Sequence, residues 1–125
     1  MNWDEIIAVS GKPGLYKIVG QAKAGIFAEH LLTGKKILAP PVHISAMQDI
    51  VIFTNDDDMR LPAVMEKIRD AEKEGISLPD KKSSKDELIA FFEKIIPDYD
   101  KEKFYPSHMR KIMSWYEILK AAGMV

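Results

Sequence analysis

SGKPGLYKIVG, residues 10–20, sets three glycines, one proline and two lysines around a short apolar run. It reads either as a loop that cradles phosphate or as a turn that feeds a strand. A phosphate loop of the Walker type needs G-x-x-x-x-G-K-[ST] between a strand and a helix, so that backbone N–H groups wrap the phosphates and the hydroxyl holds magnesium. Here the spacing fails after the first glycine. The other Gly-Lys pair, Gly34-Lys35, is followed by Lys36 rather than a hydroxyl residue. The turn is the better reading: Gly11 ends a preceding element, Pro13-Gly14 suits the centre of a type II turn with glycine at positive φ, and a strand begins at Leu15.

Working outward from this turn, Asn2 and Glu5 have the spacing of a capping box, which predicts a short helix over residues 3–9 that stops at Ser10-Gly11. Downstream, LYKIV (15–19) and GIFAEHLL (25–32) are rich in β-branched and aromatic residues and lie a hairpin's length apart. Thr33-Gly34 turns the chain into KKILA (35–39), and DIVIFT (49–54) is the clearest strand in the sequence. Pro40-Pro41 excludes a central strand between these last two runs, leaving VHISAM (42–47) as a bridging turn or helix. Four short strands so closely spaced predict a small SH3-like β-barrel or a curled sheet.

Beyond residue 58 the apolar period changes from two to about 3.6. Leu61, Val64, Met65 and Ile68 share one face of a helix that Pro62 can open and Gly75 can end. ISLPDKKSSK (76–85) has the composition of a linker. Ser83 with Asp86, or Ser84 with Glu87, caps a second helix carrying Leu88, Phe91, Phe92 and Ile95, which Pro97 stops. Ser107 caps a third, with Met109, Ile112, Met113, Tyr116 and Leu119 inward and Arg110, Ser114 and Glu117 outward. The fold class is therefore α+β: a β-rich SH3-like domain over residues 1–58, with its short N-terminal helix, then a helical domain of three helices over residues 59–125.

The chain has 125 residues, 46% of them apolar and 30% charged, with a formal net charge of −1. That length suffices for one compact core, or for two small lobes sharing one. Basic and acidic residues number six and seven up to Arg60 and twelve of each beyond it, so no global field steers a polyanion. The absence of cysteine removes disulfides, thiolate metal sites and cysteine nucleophiles. MNWDEIIAVSG does not read as a secretory signal, and no apolar run reaches membrane-spanning length. The expected location is the cytoplasm, with no membrane association.

The order DEIIAVSGKPGLYKIVGQAKAGIFAEHLLTGKK, then MQDIVIFT, then a helix from LPAVMEKI resembles an uncharacterised bacterial family of the domain-of-unknown-function kind. The likeness covers residues 1–75, with SGKPGLYK its most specific part, and the helical remainder looks like the second domain that accompanies it. The resemblance implies a small β-rich domain joined to a helical one in a cytoplasmic bacterial protein. It implies no reaction and no catalytic residues.

Chemistry-bearing motifs are sparse. NDDDMR (55–60) and DYDKE (98–102) concentrate acids, but neither places glycine sixth and glutamate twelfth as an EF-hand loop requires. They read as solvated turns, with a weak cation site as the lesser alternative. His30, His43 and His108 lack the paired spacing of zinc ligands. His30 and His43 would meet only if a barrel brought them together. No G-x-S-x-G or triad pattern is present. No catalytic, metal or cofactor site is assigned, and no cofactor is expected.

One segment has binding character: KEKFYPSHMRKIMSWY (101–116) interleaves bases with aromatics. It reads first as an amphipathic helix whose aromatics enter the core. The favoured function is a non-enzymatic protein-interaction or scaffolding module, with a protein partner or self-association, exposed strand edges offering pairing sites. The alternative is a nucleic-acid-associated protein contacting RNA or DNA through Lys103, Tyr105, His108, Arg110 and Lys111.

Overall fold

A computed structural model describes residues 5–12, 14–55, 57–80 and 82–123. Among the described residues seven strands precede three helices. Strands β1 (Ile6–Val9), β2 (Tyr16–Ala22), β3 (Gly25–His30), β4 (Lys36–Ala39) and β5 (Ile44–Ala46) form an antiparallel sheet in the order β4-β3-β2-β1-β5. Strands β6 (Val51–Ile52) and β7 (Met59–Arg60) pair separately. Helices α1 (Leu61–Lys73), α2 (Lys85–Ile95) and α3 (Pro106–Ala121) complete the α+β architecture.

The expected helix over residues 3–9 is corrected: Ile6–Val9 is a strand, while Asn2 and Trp3 lie outside the described residues. The physical reason lies in its two buried faces. Ile7 and Val9 join one apolar cluster with Tyr16, Ala28 and Ala39, whereas Ile6 joins the larger cluster that contains the helices and Ala8 packs against it. A strand covered on both sides loses its period-two signature, and a short continuous apolar run cannot be told from a helical turn.

The turn after β1 is present, with its hydrogen bond three positions earlier than Pro13-Gly14 would place it. The Lys12 N–H donates to the Val9 carbonyl at 3.0 Å with Gly11 at φ 79°. Gly14 is also left-handed, at φ 87°, and Pro13 is outside the described residues.

DIVIFT contributes only the two residues of β6, and not to the main sheet. Its continuation is taken by the loop before α3. The Asp100 N–H donates to the Phe53 carbonyl at 2.9 Å, the Asn55 N–H to that of Asp98 at 2.8 Å, and Thr54 bridges Tyr99. The fifth strand of the main sheet is instead β5, inside VHISAM, between 3-10 turns at Pro41–His43 and Met47–Asp49.

Of the barrel and the curled sheet, the curled sheet is the one present; β4 and β5 are its two free edges. Laid flat, those edges would be about 19 Å apart, four strand spacings of about 4.8 Å. The connection from Ala39 to Ile44 passes through the 3-10 turn. Counting two extended steps of about 3.5 Å and three 3-10 steps of about 2 Å, it spans roughly 13 Å. The sheet must therefore curl, enclosing Ile7, Val9, Tyr16, Ala28 and Ala39 on its inner side. On the outer side, Ile6 joins Leu15, Met47 and Ile52 from the flanking segments in one core with Leu61, Met65, Ile68, Leu88, Phe92 and Met109 of the helices.

Helix ends follow their local chemistry. Pro62 sits in the first turn of α1, which closes on Gly75 in a Schellman motif: Gly75 N–H to the Glu72 carbonyl at 3.1 Å and Ile76 N–H to that of Ala71 at 3.0 Å. Of the two candidate caps for α2, Ser84 is used, its Oγ accepting from the Glu87 N–H at 3.2 Å. The cap expected at Ser107 is corrected to Tyr105. Pro106, preset for helical φ, starts α3 two residues earlier, and His108 Nδ1 accepts the Tyr105 N–H at 3.1 Å. Ile76 and Leu78, in the expected linker, pack against the main core.

Candidate functional site

The β6 strand and α3 bound an apolar groove of about 220 Å³. Ile50, Ile52, Phe104 and Ile112 line it, Phe53 and Trp115 form walls, and Lys103, His108 and Lys111 supply its ionisable side chains among the described residues. The sequence builds each part locally. Phe104 is 3% exposed and packs edge-on against Phe92 and Tyr99, at ring separations of 5.4 and 5.6 Å, which fixes the loop that carries Lys103. Lys111 and Trp115 lie one helical turn apart on α3, between its buried stripe and open solvent.

The bases are seated on aromatic faces. Lys103 Nζ lies 5.3 Å from the Phe53 ring centroid and Lys111 Nζ 5.4 Å from that of Trp115, within the range of cation–π attraction. The His108 ring stacks on Phe104 at 6.1 Å, with 8° between the planes. Phe53, at 38% exposure, and Val51, at 37%, leave the rim apolar.

Five residues carried the nucleic-acid reading, and three of them, Lys103, His108 and Lys111, come together here. Tyr105 and Arg110 do not line the groove. Tyr105 is half-exposed, its hydroxyl donating to the Glu102 carbonyl, and Arg110 Nη2 donates to the Ser83 carbonyl at 3.0 Å, tying α3 to the start of α2. Sequence reasoning did not nominate Phe53 or Trp115. Trp115 stood inside the basic-aromatic segment, and its i+4 spacing from Lys111 was the available signal.

A second, more polar cleft of about 510 Å³ adjoins the groove, sharing Ile50, Lys111 and Trp115 with it. Its far side is the glycine turn that opens the sequence reading: Ser10, Gly11, Lys12 and Gly14, with Ser45 and Ser114 completing the wall.

The remaining candidates are structural. His30 Nδ1 accepts the N–H groups of Leu32 and Thr33 at 3.1 and 3.2 Å, and its ring meets Tyr16 edge-on at 5.1 Å. The His43 carbonyl accepts the Ser10 N–H at 2.8 Å. In NDDDMR, Asp56 is outside the described residues, and Asp57 offers its carbonyl to the Thr54 hydroxyl. Among the described residues, no three His, Asp or Glu side chains are grouped to hold a metal ion, and no helix is long and apolar enough to cross a membrane. Among the perturbed ionisable groups, burial raises Tyr99, whose ring packs edge-on against Phe104 of the groove. Glu72 is held below the usual carboxylate range, chiefly by its hydrogen bond with Lys120, while burial and the Glu72 carboxylate raise Tyr116 to about 12.

Residues 50–119 match the family described as "Domain of unknown function (DUF6852)". The chain belongs to this family. Its β-rich part, residues 4–43, matches a second such description, "Domain of unknown function (DUF5606)". The resemblance noted over residues 1–75 is thus divided between two uncharacterised domains, and the DUF6852 part carries the groove along β6 and α3. A solution NMR structure from Bacteroides vulgatus is similar at 29% identity and a TM-score of 0.81, with 99% of this chain and 89% of that chain covered. No curated protein matches the chain.

Proposed function

We propose that the protein is a non-enzymatic interaction module whose groove between β6 and α3 receives an acidic segment of a partner protein bearing aromatic or aliphatic anchors. The observation that carries this reading is charge complementarity over an apolar floor: Lys103, His108 and Lys111 rim the groove and, among the described residues, no carboxylate lines it. In a chain of net charge −1, this is a local departure from balance. An apolar pocket supplies binding energy through buried anchors, and the basic rim selects the flanking charge.

Panning a displayed random-peptide library on the protein tests this. Enrichment of Asp- or Glu-rich peptides with an embedded Trp, Phe or Leu is expected, and should be lost on Lys111→Glu and Trp115→Ala. Enrichment of basic peptides, or enrichment that both variants retain, overturns it.

Single-stranded nucleic acid is the second reading, favoured by the placement of Lys103 and Lys111 beside the Phe53 and Trp115 rings. Oligonucleotide titration at low and moderate salt separates the two, because phosphate binding weakens steeply with salt. Absence of binding at low salt removes the nucleic-acid reading.

A further inference from the structure

We propose that the cleft between the glycine turn of Ser10, Gly11 and Lys12 and α3 is a binding site for a small oxyanion, a carboxylate or phosphate, carried on an apolar or aromatic body that rests against Trp115. The turn is not a Walker loop, yet folding places it where an anion is needed. Its Lys12 and the Lys111 of α3, distant in sequence, line the same cleft, and among the described residues no acidic one lines it with them. Five cations elsewhere, Lys17, Arg60, Arg69, Lys101 and Lys120, each pair with a carboxylate, while others, such as Lys23, Lys67 and Lys94, have no such partner among the described residues. Among the described residues, neither Lys12 nor Lys111 has such a partner.

Three hydroxyls, those of Ser10, Ser45 and Ser114, belong to residues that line the cleft. Among the described residues none of them bonds to a protein group, whereas Ser83 and Ser84 spend theirs on local turns and caps. The Gly11 N–H also lacks a backbone acceptor among the described residues. The site therefore combines two ammonium groups with hydroxyl and amide donors, the set that recognises an oxyanion through charge-assisted hydrogen bonds. Its apolar side is supplied by Trp115 and Ile50, shared with the groove, so the ligand has a charged head and an apolar body. This site stands whether or not the groove takes a protein segment.

Phenyl phosphate and phenylacetate, with benzyl alcohol as the neutral control, test the proposal by amide chemical-shift titration of the full chain. At least one anion is expected to shift Gly11, Gly14, Ser45 and Ser114 saturably. Lys12→Ala and Lys111→Ala should each weaken it by about tenfold, and Lys111→Arg should retain it. Saturation by phenyl phosphate alone assigns a phosphate ligand, by phenylacetate alone a carboxylate, and by both a general oxyanion site. Both lysines are exposed, and an unchanged spectrum away from the cleft verifies that the variants fold. The proposal is overturned if neither anion saturates below about 10 mM, if benzyl alcohol shifts the same amides equally, or if both alanine variants bind as the wild type does.

Discussion

Replacing Leu15 by alanine probes how the sheet and the helices depend on each other. Leu15 stands between Gly14 and β2 in sequence, is 0% exposed, and belongs to the same apolar cluster as Leu61, Met65, Phe92 and Met109 of the three helices. Truncating a fully buried leucine costs about 2–5 kcal/mol, the transfer free energy of the lost methyl groups plus the cavity they leave. Taking about 3 kcal/mol, and a urea dependence of about 2 kcal/mol per molar, the unfolding midpoint falls by about 1.5 M. The loss should be felt by the whole chain, because a β-rich segment of some 50 residues is marginal on its own and leans on the helical core. Urea unfolding of Leu15→Ala in a Trp3→Phe background reads this directly, since Trp115 on α3 packs against that same cluster. Its fluorescence and the far-ultraviolet circular dichroism should move together to the lower midpoint. If Trp115 keeps the wild-type midpoint while the dichroism falls in two steps, sheet and helices are separate units and the reasoning fails.

Two further substitutions test local claims. The Tyr116 hydroxyl donates to Glu72 Oε1 at 3.1 Å, joining α3 to α1, and its pKa is raised from about 10 to about 12, first by burial and then by the Glu72 hydrogen bond. A raised pKa means the folded state holds its proton longer, so this contribution is full below pH 10 and is lost as pH rises through 12. Tyr116→Phe should cost about 1 kcal/mol at neutral pH and flatten the alkaline limb of the stability profile; parallel limbs in variant and wild type would refute the assignment. Glycine tolerance is a second check: a Cβ on Gly25 would stand 2.2 Å from the Ala39 carbonyl oxygen, whereas one on Gly20 would meet Phe27 at an ordinary 3.7 Å. Thermal unfolding should show Gly25→Ala destabilised by about 1–3 kcal/mol and Gly20→Ala within about 0.5 kcal/mol of wild type; equal effects would contradict the β3–β4 approach.

What could be read from the sequence depended on whether a residue's role is local. The inward faces of α1, α2 and α3 were legible because Leu61, Leu88, Met109 and their i+3 and i+4 companions repeat with the helical period, and all of them are buried. The hairpins through β2, β3 and β4 were legible from β-branched runs broken by glycine. β1 was not, because burial of IIAV on both faces leaves no period to detect. DIVIFT misled for the opposite reason: its β propensity is high, but the carbonyl of Phe53 is claimed by the backbone of Asp100, from 47 positions further along the chain.

The candidate site was half legible. Lys103, His108 and Lys111 share one basic-aromatic segment, so composition exposed them, whereas Lys12, Ser45 and Phe53 reach the same region only through tertiary packing. The opening glycine turn shows the limit of motif reading. Its sequence does not fit the Walker pattern, and only the placement of α3 opposite Lys12 reveals a basic cleft.

The central claim, that partner binding belongs to the groove along β6 and α3, is tested most directly by mapping amide shifts on titration with an acidic peptide carrying a single central tryptophan. Saturable changes should concentrate in residues 50–53 and 103–115. Changes that gather instead on the outer sheet face around Val19, Phe27 and Leu38, which are 46%, 43% and 47% exposed, would place the binding surface elsewhere and contradict the account.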